Sequence, residues 1–342
     1  MKAMVLEKIV ELGEETQPLT LRQRPVPEPG SGQVLIAVSA CGVCHTELDE
    51  IEGRAAPARL PVIPGHQVVG TVEACGADVT SLSKGNRVGV AWINFACGRC
   101  GACRRGLENL CKDFKATGRD ADGGYAEYMT VDARFAYPIP QVLTDTQAAP
   151  LLCAGAIGLR SLRLTGLQDG QRLGLTGFGA SAHLVLKLVR HRYPTSEIYV
   201  FARSEKEQAF ARELGAVWAG PTRAQAPAKL HAIIDTTPAW TPVVSALGQL
   251  VPGGRLVINA IRKEQGDQDQ LLSLDYASHL WLEKEVKSVA NVTRRDVIEF
   301  LDLAAGIPIQ PEVRTYALEE ANQALVDLKK GHVRGAKVLL LR

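Results

Sequence analysis

Four cysteines spaced Cys97-x-x-Cys100-x-x-Cys103-x7-Cys111 are the most specific chemical feature of the chain. Four thiolates at this spacing can close a tetrahedral shell around a zinc ion, and a shell closed by four protein ligands leaves no position for a substrate. In such a lobe the energy of metal binding becomes folding energy, so its expected role is structural. The short loops should let the backbone N–H groups of Gly98 and Gly101 approach the sulfurs. Buried free cysteines have no reason to recur at every third residue. A zinc ribbon for nucleic acid or protein is the competing reading. The large chain around the lobe, and Glu108 and Asp113 beside Arg104 and Arg105, weigh against it.

A second signal is Thr176-Gly177-Phe178-Gly179-Ala180-Ser181-Ala182, which follows a short apolar run and opens a helical one. Gly177 permits a tight turn, and Gly179 lets the backbone approach a pyrophosphate at the helix N-terminus. Ala182 stands in for the third glycine and is small enough for close helix–strand contact. The pattern is weak alone; its strand–turn–helix context makes it informative.

These residues must be positioned by a chain of 342 residues, long enough for two domains. Formal net charge is +2 and no long basic block occurs, which argues against nucleic acid or an anionic membrane as partner. The first ten residues carry Lys2, Glu7 and Lys8 and lack an apolar core, and no apolar run has the length a bilayer demands. A cytoplasmic protein is expected, where eight cysteines point to metal more than to disulfides. Up to about Ile139 the sequence reads as strands punctuated by Gly and Pro. Gln33–Ser39, Gln67–Glu73 and Arg87–Trp92 alternate like half-buried strands. From about residue 155 short apolar strands (Arg172–Thr176, Glu197–Phe201, His231–Asp235, Gly254–Asn259) alternate with helices (180–192, 205–214, 241–250). That rhythm predicts a parallel, doubly wound sheet. Two further helices (294–305 and 318–331) precede a closing strand, Ala336–Leu341, expected to return to the first domain.

Three further motifs carry a family resemblance: Cys41-Gly-Val-Cys44-His45-Thr46-Glu47-Leu-Asp49, Pro64-Gly-His66-Gln67-Val-Val-Gly70 and Leu151-Leu-Cys153-Ala-Gly155. In this order, with the cysteine lobe and the Asp122-Gly-Gly-Tyr-Ala-Glu-Tyr segment, the chain resembles the zinc-dependent alcohol dehydrogenases of the medium-chain dehydrogenase/reductase superfamily along essentially its whole length. The resemblance implies a β-rich, GroES-like catalytic domain (1–154 and 290–342, with the zinc lobe at 95–113) and a Rossmann dinucleotide-binding domain (155–289). It also implies two zinc ions per chain. The catalytic ligands fall on Cys44, His66 and Cys153, an open three-ligand set at a domain seam; the family ligand is the cysteine immediately before His-Thr, so Cys41, which precedes Gly-Val, and Cys75 are expected to be buried thiols. Zinc would polarise a carbonyl while hydride passes to or from nicotinamide. Thr46 matches the hydroxyl that hands the alcohol proton onward, His45 a residue near the cofactor pyrophosphate, and Trp92 a wall of the substrate pocket.

Departures from the family pattern concern the groups behind the ligands. Gln67 replaces an acid, which should leave the metal less neutralised. Glu47 replaces Asp, one methylene longer, and is expected to orient His66; Asp49 replaces a relay histidine and is expected to face solvent; Ile157 replaces a threonine near the nicotinamide. Where relatives carry the acid that binds the ribose hydroxyls, the chain has Ala202, followed by Arg203, Ser204 and Lys206. No carboxylate repels a 2′-phosphate at that point and donors are present, so NADP(H) is favoured over NAD(H), although Glu205 and Glu207 weigh the other way. An arginine that some relatives place before the last strand is Ala336, with Arg334 or Lys337 as substitutes. His191, His231, His279 and His332 read as surface or packing residues. The expected activity is that of an alcohol dehydrogenase or aldehyde reductase acting on a small-molecule alcohol, aldehyde or ketone. A homodimer or homotetramer is implied by the resemblance. A polyol or sugar dehydrogenase of the same superfamily, or a non-catalytic zinc scaffold or redox sensor, are the alternatives; Cys153 as third ligand favours a simple alcohol.

Overall fold

The computed structural model describes residues 1–307, 309–331 and 335–341, so His332 and Arg334 lie outside the described residues. The chain divides into two compact units, Met1–Ala156 with Val292–Arg342, and Ile157–Asn291.

The first unit is built on a seven-stranded sheet. Its central strand, Gln33–Val43, pairs antiparallel with Val68–Cys75, Tyr128–Asp132 and Ala336–Leu340. Lys337 stands opposite Val43, so the closing strand adds to the sheet that starts the chain. The half-buried alternation expected for Gln33–Ser39 is corrected by the structure: the strand is buried almost throughout. Strands pair with it on both edges and the Asp145–Pro150 helix packs on it, which buries the residues the alternation left to solvent.

The second unit holds six parallel strands in the order Trp218–Gly220, Ile198–Phe201, Leu173–Thr176, Leu230–Asp235, Leu250–Ile258, Glu285–Ser288. This is the doubly wound dinucleotide-binding order, starting from a central first strand. The Ala180–Arg192 helix follows that strand directly. Tyr199, Phe201, Ile233, Val243, Leu247 and Leu256 form part of the core on the sheet. The helix expected to run to Leu250 stops at Leu247, because Leu250 is already paired with Leu230.

Two helices escaped the sequence reading, Asp145–Pro150 and Ala156–Thr165. Their signal was present in Thr144 and Gln147, whose reciprocal side-chain to backbone hydrogen bonds form a capping box. Among the described residues no helix is long and apolar enough to cross a membrane.

Candidate metal centres and nucleotide site

Each ligand of the open set comes from a different local device in the first unit. Cys44 ends the Gln33–Val43 strand and caps the His45–Ile51 helix. His66 follows Gly65, whose φ of +99° and whose missing Cβ, 2.4 Å from Tyr125 Cδ1 if present, require glycine. Cys153 sits in a π-helical turn, Leu151–Gly155, between the two helices the sequence reading missed. Such a widened turn rotates one side chain off the α-helical face and is frequent at functional sites.

The three side chains meet: Cys44, His66 and Cys153 each offer a donor atom, and these atoms lie within 4.8 Å of one another. His66 Nε2 is 3.3 Å from Cys153 Sγ. Zinc–nitrogen and zinc–sulfur bonds at tetrahedral angles separate such a pair by about 3.6 Å. Cys41 is fully buried and lies outside the group.

One carboxylate orients two ligands. Glu47, wholly buried, accepts from His66 Nδ1 at 2.6 Å and from the Cys44 backbone N–H at 2.8 Å. Holding the proton on Nδ1 leaves Nε2 free for a metal. The extra methylene of Glu47 thus still reaches the imidazole. Burial pulls His66 down, but Glu47 and the Cys44 sulfur hold it well above the ordinary histidine value. The hydrogen bond from Cys153, opposed by burial and aided by His66, keeps Cys44 well below the usual thiol range, and that same bond pushes Cys153 up. Trp92 is buried with its ring edge-on to His66, centroids 5.0 Å apart, and the Arg119 guanidinium lies 5.6 Å from the Trp92 centroid. Thr46 Oγ1 is 3.7 Å from Cys44 Sγ, and His45 is exposed.

Glu50 was not singled out from the sequence. It is 1% exposed and neither carboxylate oxygen has a hydrogen-bond partner among the described residues. Burial and the Glu47 charge push it well above the carboxylate range, against His66 and Arg119. Two thiols and one imidazole whose outer nitrogen is held by a buried carboxylate form a three-donor set that suits a divalent zinc ion, so the residues fit the metal the resemblance implies. Glu47→Gln is expected to lower zinc affinity by about 10- to 100-fold, because an amide cannot accept from both His66 and Cys44. Competition with a chromophoric chelator measures this, and Glu47→Asp should retain more affinity.

The four-cysteine lobe is also assembled. Cys97, Cys100, Cys103 and Cys111 offer sulfurs within 4.8 Å of one another and none forms a disulfide. Cys97 Sγ lies 3.5 Å from Cys111 Sγ and 4.0 Å from Cys103 Sγ. A tetrahedral shell with zinc–sulfur bonds of about 2.3 Å needs about 3.8 Å. The Gly98 N–H approaches Cys103 and opposes the rise of its pKa. The N–H groups of Cys103, Cys97 and Asp113 approach Cys100, Cys111 and Cys111 respectively. The Cys103 N–H holds Cys100 down at about 6, while burial and the bond shared with Cys100 raise Cys103 to about 12.

In the second unit Gly177 has φ +76° and a Cβ there would stand 2.9 Å from Thr236 Oγ1 and Thr237 Cγ2, so only glycine fits the turn. A Cβ on Gly179 would meet open space, and Ala182 is fully buried at the helix foot. Arg203 is exposed just past the Ile198–Phe201 strand, and no hydrogen bond or ion pair engages it among the described residues. Ser204 caps the Glu205–Glu213 helix, accepting from Glu207 N–H and donating to the Glu207 carboxylate. Its hydroxyl is therefore committed to the cap.

Three residues behind the ligands take their roles from packing, and for Asp49 and Lys337 the expectation is corrected. Asp49 does not face solvent: it is 5% exposed and bonded by Arg54 Nε at 2.7 Å, because the chain turns back after the His45–Ile51 helix. Gln67 is buried against Gly42, where a Cβ would stand 2.3 Å from its Oε1; glycine at 42 makes room for it. Lys337 is 2% exposed, and burial lowers its pKa to about 8 against the pull of Asp327.

The chain is similar to known proteins along nearly its whole length. The profile of the "Alcohol dehydrogenase GroES-like domain" family matches residues 30–141. A Mycobacterium tuberculosis protein described as "Probable alcohol dehydrogenase AdhA" is 42% identical over 332 residues, 96% of this chain and 94% of its own. An alcohol dehydrogenase of Geobacillus stearothermophilus is 31% identical over 344 residues, 98% of this chain and 99% of its own. A cinnamyl alcohol dehydrogenase structure from Sorghum bicolor superposes with a TM-score of 0.83 at 27% identity, covering 94% of this chain and 93% of its own. By descent along nearly its full length, the chain belongs to the zinc-dependent alcohol dehydrogenases of the medium-chain dehydrogenase/reductase superfamily, oxidoreductases that act on CH–OH groups.

Proposed function

We propose that the chain is an NADP(H)-linked alcohol dehydrogenase or aldehyde reductase, with a catalytic zinc at Cys44, His66 and Cys153 and a structural zinc at Cys97, Cys100, Cys103 and Cys111. The convergence of the three-ligand set carries this reading. Zinc, when bound there, supplies a Lewis acid for the substrate C–O group, and the nicotinamide gives or takes the hydride. The chain's own residues do the rest. Glu47 keeps the His66 tautomer and ring orientation fixed. In oxidation the alcohol loses a hydride from carbon and a proton from oxygen, and the Thr46 hydroxyl beside Cys44 is the group suited to take that proton onward. Trp92 supplies an apolar wall behind His66. Asp49, buried and bound by Arg54, is not placed to end a proton relay in solvent.

Cofactor choice rests on Arg203. It stands exposed and unengaged next to the neutral Ala202, a guanidinium available for a 2′-phosphate. On zinc-replete protein, initial rates of aldehyde reduction are expected to be higher with NADPH than with NADH. Arg203→Ala should lower kcat/KM for NADPH by about 10- to 100-fold, the worth of a charge-assisted contact, and leave NADH within about threefold. Faster turnover with NADH overturns the cofactor choice and keeps the dehydrogenase.

A homodimer or homotetramer is part of the proposal. The edge strand Glu285–Ser288 is exposed at all four residues, and Leu272, Tyr276, Trp281 and Leu282 beside it in sequence are exposed apolar side chains. An unpaired edge with such neighbours suits a second copy. Eight cysteines without a disulfide suit a reducing compartment such as the cytoplasm.

A further inference from the structure

The carboxyl ends of three adjacent parallel strands form one edge of the second unit. Thr176 stands opposite Asp235, and Asp235 opposite Ile258, so the turns at Gly177, Thr236 and Asn259 all begin there. In open sheets of this kind a ligand lies outside that edge, where the strand order reverses.

A buried ion pair ties the three turns together. Asp235 is fully buried, and one of its oxygens accepts from the Thr176 hydroxyl at 2.5 Å, the Thr237 hydroxyl at 2.8 Å and the Thr237 N–H at 3.3 Å. Its other oxygen takes the ammonium of Lys263, a side chain only 10% exposed. That ammonium also donates to the carbonyls of Thr237 at 2.8 Å and Ala239 at 3.1 Å. A lysine has three N–H donors. All three are spent, so Lys263 has none left for a ligand.

Its position matters more than its charge. Lys263 belongs to the segment after the Leu250–Ile258 strand, where Ile261, Glu264, Gln265 and Gly266 are exposed. Backbone bonds from Asn259 to Asp235 and from Glu264 to Pro238, both 2.7 Å, and the Asp267 carboxylate on the N–H groups of Trp240 and Thr241, share the attachment. Lys263 enters the buried network that ends on Thr176, the residue before the glycine turn. Thr236 and Thr237, which this network holds, fill the space where a Cβ of Gly177 would be.

We propose that Lys263 is a positioning residue for the nicotinamide nucleotide: by locking the 259–267 segment and the 235–239 turn onto the Gly177 turn, it holds the cleft in its binding shape. The proposal rests on the nicotinamide-linked reading above. A cleft that must be assembled before ligand enters binds more weakly by the fraction of time it is assembled.

The test measures NADPH and NADH dissociation constants by nucleotide fluorescence on the zinc-replete protein, with Lys263→Met, Lys263→Arg and wild type side by side. Lys263→Met is expected to raise the dissociation constant for the preferred nucleotide by about tenfold or more, the effect of an assembled fraction near a tenth. Cofactor KM should rise with it. The rate at saturating cofactor, the alcohol KM and the zinc content should stay near wild type, and amide exchange in 260–266 should quicken. Lys263→Arg, which keeps the pair with Asp235, should recover most of the affinity. Should the single methionine variant fail to fold, the charge-neutral pair Asp235→Asn with Lys263→Met is measured instead, with the same expected loss. A folded variant whose dissociation constant stays within twofold of wild type overturns the proposal while the cofactor reading stands. If wild type itself binds neither nucleotide, the cofactor reading falls and takes the proposal with it.

Discussion

Cys44→Ala is expected to reduce alcohol- or aldehyde-dependent nicotinamide turnover by at least about a thousandfold, roughly 4 kcal/mol of transition-state stabilisation. Zinc content should fall from about two ions per chain to one. Without Cys44 only His66 and Cys153 remain, and two protein ligands are one short of an open catalytic set. The Cys97–Cys111 lobe shares no ligand with this centre, so the second ion and the fold should persist. Elemental analysis and steady-state rates check both parts together. Turnover within tenfold of wild type would show that Cys44 does not hold the working metal; zinc binding without any turnover in the wild type would favour a scaffold.

The same centre should show a pH signature of metal binding. Against the pull of burial, Glu47 and Cys44 hold His66 well above the usual histidine value, so in the metal-free chain a proton occupies the imidazole up to an unusually high pH. Zinc must displace that proton. Affinity therefore rises with pH through the range where His66 deprotonates and falls below it.

Cys103→Ala carries the second large effect. Zinc-binding energy of about 10–16 kcal/mol in small metal-folded modules is folding energy. Losing one thiolate of four should forfeit at least about 3 kcal/mol of it, making opening of the lobe more than about a hundredfold more frequent. Arg104 and Arg105 are exposed inside the lobe, so trypsin reads out that opening directly. Where opening is fast, cleavage follows the open population. The expected result is rapid cutting at these two arginines, one zinc per chain, and residual turnover from the intact Cys44 centre. Cleavage no faster than in wild type would mean that the lobe is held by its protein contacts alone.

Much of this site was legible in one dimension because its information is local. The four-cysteine repeat announces its shell, since ligands a few residues apart cannot avoid meeting. The Gly177–Ala182 turn announces a strand-to-helix junction, and the parallel sheet follows from apolar runs alternating with helices. Cys44, His66 and Cys153 are different. Nothing in their spacing brings residues 44 and 153 together; family likeness nominated them, and the fold supplies the reason they can meet. Cys44 ends a central strand, His66 follows a glycine no other residue could replace, and Cys153 is turned inward by a π turn in a helical region the sequence reading overlooked.

Tertiary structure alone decided the charges around them. Family likeness already paired Glu47 with His66, but left Asp49 facing solvent, where the fold instead buries it and gives it to Arg54. That likeness gave no sign that Glu50 would be shut away with no hydrogen-bond partner among the described residues, or that Lys263 would reach Asp235, 28 residues earlier. Residue type and spacing determine what chemistry a chain can perform. Which acid is neutralised, which is desolvated and which orients a ligand depends on burial and on partners distant in sequence, and those come into being only when the chain packs.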